Sequence, residues 1–172
     1  MTEPRILIAC VGNILRGDDG FGVEVARQLL NRDLPPHVNV VDFGIRGFDL
    51  AFALLDDYQA VILIDASQRG GEPGTLYVIE PELDQLSHEE LRAASGTTHG
   101  LMPEQVLQWA KAVRGSIPPI HLLACEPATL GTDEDMIMGL SKPVENAVTR
   151  AVILAEHLIL EISRPRTRKD DG

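Results

Sequence analysis

The sequence predicts an α/β fold, a single-domain three-layer αβα architecture around a twisted, mostly parallel sheet of about five strands. Three observations carry this expectation. Ala60 to Ile64 reads Ala-Val-Ile-Leu-Ile without polar alternation, as a strand covered on both faces should. Val144, Ala147, Val148, Ala151, Val152, Ala155, Leu158, Ile159 and Ile162 form a helical apolar stripe near the C-terminus. Strand-like and helix-like patterns alternate between them, punctuated by Pro35-Pro36, Gly70 to Gly74 and Pro118-Pro119.

Taken in order, Arg5 to Val11 is the first apolar strand. A helix follows from about Phe21 to Asn31, with Val25, Ala26, Leu29 and Leu30 on one face. Val38 to Phe43 is the second strand and ends at Asp42-Phe43-Gly44. A short helix spans Phe48 to Leu55, and the third strand, Ala60 to Ile64, ends at Asp65. Thr75 to Ile79 is a strand too close to the third for a helical crossover, so the two are expected to pair antiparallel. A weaker helical pattern covers His88 to Ala94. Met102 to Val113 is a stronger one, with Val106, Trp109, Ala110 and Val113 on one face. Ile120 to Cys125 is the last strand and runs into Glu126-Pro127. Ser141 stands where a cap of the final helix would, and Pro143 suits its first turn. Residues 1–163 are therefore expected to form one domain. Residues 164–172, with Pro165, mixed charges and no apolar anchor, read as a disordered tail.

Composition removes several function classes. With 172 residues and 44% apolar content, the chain can bury a substantial core. Its 26 acidic and 15 basic side chains give a formal charge of -11, which repels nucleic acid and anionic membranes. No apolar run approaches the ~20 residues needed to span a bilayer. The first residues carry no signal-peptide pattern, so the cytoplasm is the expected compartment. Cys10 and Cys125 lie inside strand-like runs and read as buried, reduced thiols.

The chemistry-bearing residues cluster after strands. Gly12-Asn13-Ile14-Leu15-Arg16-Gly17-Asp18-Asp19-Gly20 links the first strand to the first helix. In open α/β sheets, ligands bind outside the carboxyl ends of strands. Right-handed crossovers should bring Asp18, Asp19, Asp42 and Asp65 to one rim, joined by Glu126 if the last strand is parallel. His99, in the polar loop Thr97-Thr98-His99-Gly100, adds an imidazole. Asp19, Asp65 and His99 would make a mixed carboxylate–imidazole site for a divalent transition metal, with positions open to substrate.

Each residue also fits a plainer role. Asp19 could cap the first helix, Asp65 a turn near Ser67, and His99 could be a structural or solvated loop residue. Asp18-Asp19-Gly20 fits a tight turn. The loop lacks the alternating oxygen ligands of a calcium site. It lacks a dinucleotide or phosphate-loop fingerprint as well, which disfavours a nucleotide-binding enzyme.

With these residues laid out, the chain resembles the hydrogenase maturation proteases, which trim the large subunit of nickel–iron hydrogenases. The match rests on Gly12-Asn13-Ile14-Leu15 with Asp18-Asp19-Gly20-Phe21-Gly22-Val23, on Leu63-Ile64-Asp65-Ala66, on Thr98-His99-Gly100-Leu101 and on Glu126-Pro127. Asp42-Phe43-Gly44 fits roughly. The resemblance implies a metal-contacting and catalytic triad of Asp19, Asp65 and His99. It also implies nickel carried by the precursor rather than held permanently, and removal of a C-terminal peptide from that precursor. Two departures stand out: many members carry Glu where this chain has Asp19, and Phe43-Gly44-Ile45 replaces a more glycine-rich loop. A non-catalytic metal-binding or chaperone-like module that holds the precursor is the competing expectation. It uses the same triad and is distinguished by whether the precursor is shortened.

Overall fold

The computed structural model describes residues 5–81 and 103–164. Five strands, β1 (Ile6–Val11), β2 (Val38–Gly44), β3 (Ala60–Ala66), β4 (Leu76–Ile79) and β5 (Ile120–Cys125), form one sheet in the order β2-β1-β3-β5-β4. β1, β2, β3 and β5 are mutually parallel, and β4 runs antiparallel to β5. Among the described residues the helices are α1 (Phe21–Leu29), α2 (Gly47–Ala53), α3 (Pro103–Arg114) and α4 (Lys142–Ser163). A 3-10 turn, Asp18–Gly20, leads into α1.

The period-two alternation of the central strands sorts their side chains onto two faces. Ile6, Ile8 and Cys10 of β1, Ile62 and Ile64 of β3, and Leu123 and Cys125 of β5 pack against α1 and α4. Leu7, Ala9 and Val11, Val61 and Leu63, and Ile120, Leu122 and Ala124 pack against α2 and α3. The three-layer expectation holds. Because both faces are covered, the central strands carry no polar alternation. Fully burying a large aliphatic side chain contributes about 1.5–3 kcal/mol, so these two layers are the main source of stability.

Three expectations need correction. β4 was expected to pair with β3, but β5 lies between them, and β4 hydrogen-bonds to β5 at the sheet edge. The apolar strand β5 takes the doubly covered central position, while the short, partly exposed β4 takes the rim. α1 ends at Leu29, and Leu30 is exposed. On α3, Val106, Leu107 and Ala110 are buried while Val113 is exposed, so the buried stripe turns one residue from the expected one. The expected helix at His88 to Ala94 and the tail beyond Arg164 lie outside the described residues. Among those described, no helix is long and apolar enough to cross a membrane.

The final helix begins as anticipated, with Ser141 at its N-cap and Pro143 in its first turn. Ser141 does not cap with its side chain, however, and its hydroxyl donates to Asp18 instead.

Candidate active site at the strand ends

Parallel strands in the order β2-β1-β3-β5 place four carboxyl ends side by side, with neighbours about 4.8 Å apart. The acidic residues predicted for this rim lie there, but they do different work.

The loop after β1 is built by its sequence. Gly12 has φ +144°, and a Cβ on it would stand 2.0 Å from the Asp19 carbonyl oxygen. Only glycine lets the loop fold back so closely over the strand end. Asn13 makes an Asx-turn, its Oδ1 accepting from Leu15 N–H at 2.9 Å. The Asn13 N–H donates to Asp19 Oδ2 at 3.0 Å. Gly22 packs against the ends of β1 and β3, where a Cβ would come within 2.2 Å of Val11 O and 2.7 Å of Ile64 O.

Asp19 is half-buried. Its carboxyl is held above the usual aspartate range because burial outweighs the Asn13 N–H and the Arg16 charge, which favour ionisation. Gly20 occupies the N-cap of α1, and no side chain caps that helix. The carboxylate of Asp19 is thus not used as a helix cap.

Asp65 closes β3. The register pairs Cys10 with Ile64, so Asp65 is level with Val11, one residue before the glycine that Asp19 covers. Asp19, in the turn that folds back over the end of β1, and Asp65, at the end of β3, therefore lie at the carboxyl ends of adjacent strands. Asp65 Oδ1 accepts from Ala66 N–H at 2.8 Å. It pairs with Ala124, a residue of the α2/α3 face, and so belongs to that face. His99 lies outside the described residues, four positions before α3 begins. Among the described residues, no group of three or more His, Cys, Asp or Glu could hold a metal ion. Asp19 and Asp65 are hard oxygen donors, suited to a divalent cation once an imidazole joins them.

The other acids are braces. Asp18 is fully buried and accepts four hydrogen bonds. Its Oδ2 takes Ala128 N–H at 2.8 Å, Thr129 N–H at 2.9 Å and the Ser141 hydroxyl at 2.8 Å, and its Oδ1 takes Ser141 N–H at 2.6 Å. It pins the loop after β1 to the segment leading into α4. Glu126 is 4% exposed and accepts from the N–H groups of Arg69 and Gly70 and from the Tyr77 hydroxyl. Burial resists its ionisation, but the donors on Arg69, Tyr77, Gly71 and Gly70 prevail and hold it below the usual glutamate range. Asp42 accepts from Gly44 N–H at 2.9 Å, and the Arg46 guanidinium bonds the Asp42 carbonyl. A β-bulge at Phe43 lets the chain turn there.

Sequence reasoning found the rim but not this division of labour. The partners of Asp18 lie 110 to 123 residues away, and no local pattern announces them. Both cysteines are free and buried. Burial raises their thiols, to about 12 for Cys125, so neither serves as a nucleophile.

Comparison with known proteins agrees with this fold. A family model described as hydrogenase maturation protease matches residues 23–158, a span that includes Asp65 and His99 and starts just after Asp19. A putative hydrogenase maturation protease of Methanocaldococcus jannaschii is 32% identical over 153 residues, covering 88% of this chain and 94% of the relative. The crystal structure of a hydrogenase 2 maturation peptidase from a Thaumarchaeota archaeon superposes with a TM-score of 0.65 at 35% identity, covering 90% of this chain and 97% of the other. The hydrogenase-maturating endopeptidase HybD of E. coli superposes with a TM-score of 0.69 at 26% identity, covering 91% and 93%.

Proposed function

The chain belongs to the hydrogenase maturation protease family, and on that premise we propose that it removes the C-terminal peptide from a nickel-loaded precursor of a nickel–iron hydrogenase large subunit. The chain is a peptide hydrolase of hydrogenase maturation. The observation that supports the proposed cleavage is the placement of Asp19 and Asp65 at the carboxyl ends of the adjacent strands β1 and β3.

In this reading nickel arrives as part of the substrate. Asp19, Asp65 and His99 contact it and hold the precursor in register. Peptide hydrolysis needs an activated water and a polarised carbonyl. Recognition through the metal would set the scissile bond beside two carboxylates, either of which can take a proton from water as general base. Asn13 N–H holds one oxygen of Asp19, and the other oxygen would serve the substrate. The buried, reduced thiols suit the cytoplasm, which is where we place the reaction.

The test is co-expression with a nickel–iron large-subunit precursor, with and without nickel, read by intact mass. The precursor should be shortened only when nickel is supplied, and His99→Ala and Asp65→Asn should abolish shortening while melting cooperatively. Normal processing by His99→Ala would refute the assignment. A precursor that stays bound and uncut with the unaltered chain would favour a holding module instead.

A further inference from the structure

Leu15, Leu130, Met136 and Met138 expose 40%, 38%, 67% and 71% of their surfaces. The three segments that carry them are bonded edge to edge. Ile137 N–H donates to Leu15 O at 2.9 Å, Gly17 N–H to Ile137 O at 2.8 Å, and Gly131 N–H to Arg16 O at 3.1 Å. The four side chains therefore cover one small, hydrogen-bonded ribbon rather than independent loops. That ribbon is continuous with the candidate site, because Leu15 precedes Asp19 by four residues on the same loop and Asp18 locks the loop to Thr129 and Ser141.

Its charge is one-sided. Glu134 and Asp135 stand exposed at the turn that joins the second and third segments. Arg16 is directed inward, its Nε donating to Gly131 O at 2.9 Å, and its charge acts on Asp19. A second copy of this chain would bring a further -11 charges and its own acidic turn, so charge opposes self-association here. Apolar side chains accompanied by lysine or arginine would find both the patch and its acidic margin complementary. Two exposed methionines, unbranched and polarisable, suit a surface that moulds to such a partner.

We propose that the patch formed by Leu15, Leu130, Met136 and Met138, with its Glu134–Asp135 margin, is the docking surface for a cationic, apolar segment of the hydrogenase precursor flanking the cleaved bond. This rests on the proteolytic reading above and names the chemistry of the partner at that site.

The probe is the nickel-loaded large-subunit precursor, with binding measured by interferometry in an Asp19→Asn background that cannot cleave it. Met136→Gln with Met138→Gln removes apolar surface at exposed positions and should weaken Kd about tenfold. Glu134→Lys with Asp135→Lys should weaken Kd as well and flatten its dependence on salt. With Asp19 restored, the glutamine pair should raise KM for cleavage while kcat stays within about twofold. Unchanged Kd in both pairs would overturn the proposal. So would light scattering that finds a dimer of the unaltered chain dissolved by the glutamine pair. Precursor bound through the patch yet never shortened would sink the protease reading and support the surface. Cleavage with unaltered KM in both pairs would do the reverse.

Discussion

Replacing Asp18 by asparagine preserves the side chain's size while removing its charge and one of its acceptors. Asp18 Oδ2 receives three donors, from Ala128, Thr129 and the Ser141 hydroxyl, and Oδ1 receives Ser141 N–H at 2.6 Å. An amide has one acceptor oxygen. Its best placement keeps that oxygen with the three donors and turns the NH2 toward Ser141 N–H, so two donors face each other. Losing a charge-assisted bond in a fully buried position costs about 2–3 kcal/mol, and the three retained bonds weaken as the acceptor becomes neutral. The expected total is about 3–4 kcal/mol. For a chain of this length that lowers Tm by roughly 6–16 °C. Thermal unfolding followed by circular dichroism measures it. Ser141→Ala, which removes the hydroxyl donor alone, should cost about 1 kcal/mol. The double variant should cost less than the sum, since both changes dismantle one network. If Asp18→Asn melts within about 2 °C of the unaltered chain, or if the two changes add without coupling, the network does not brace the loop as argued.

Gly22→Ala places a methyl group against two backbone oxygens, Val11 O and Ile64 O, that cannot move without parting β1 and β3. A loss of about 3 kcal/mol or more is expected in denaturant titration, and a neutral substitution would contradict the packing described. Glu126 is more acidic in the folded chain than in the unfolded one, so its contribution is complete above the ordinary glutamate pKa of about 4.3 and is lost as pH falls through the depressed value. Urea midpoints measured down through that range should fall less steeply for Glu126→Gln than for the unaltered chain, and identical slopes would disprove the assignment. Cys10 and Cys125, buried and with raised thiol pKa values, should resist alkylation at neutral pH until the chain is unfolded, as mass spectrometry of iodoacetamide-treated protein would register.

The sequence announces the layers and hides the ties between them. β1, β3 and β5 are legible because burial on both faces excludes polar residues, and α4 is legible because its apolar stripe repeats over 22 residues. The partner of β4 is not legible, since neighbours in a sheet are chosen by burial of the whole and not by proximity along the chain. Asp19 and Asp65 could be singled out because each ends or follows a strand. Asp18 and Glu126 look equivalent to them in the sequence. Only the fold shows that Asp18 is consumed by donors from residues 128, 129 and 141, and Glu126 by Arg69, Gly70 and Tyr77. Ser141 was legible as the start of a helix, but its hydroxyl serves a loop 123 residues earlier in the chain.

The span of the Asp18 network also bears on biosynthesis. A nascent chain acquires the glycine-rich loop among its first 20 residues, yet every donor that fixes Asp18 is translated after residue 127. Closing so large a contour is entropically expensive and comes late. A ribosome-bound fragment that stops before residue 128 holds this carboxylate without any of its clasps, so the loop that carries Asp19 is braced only once residues 128 to 141 have emerged.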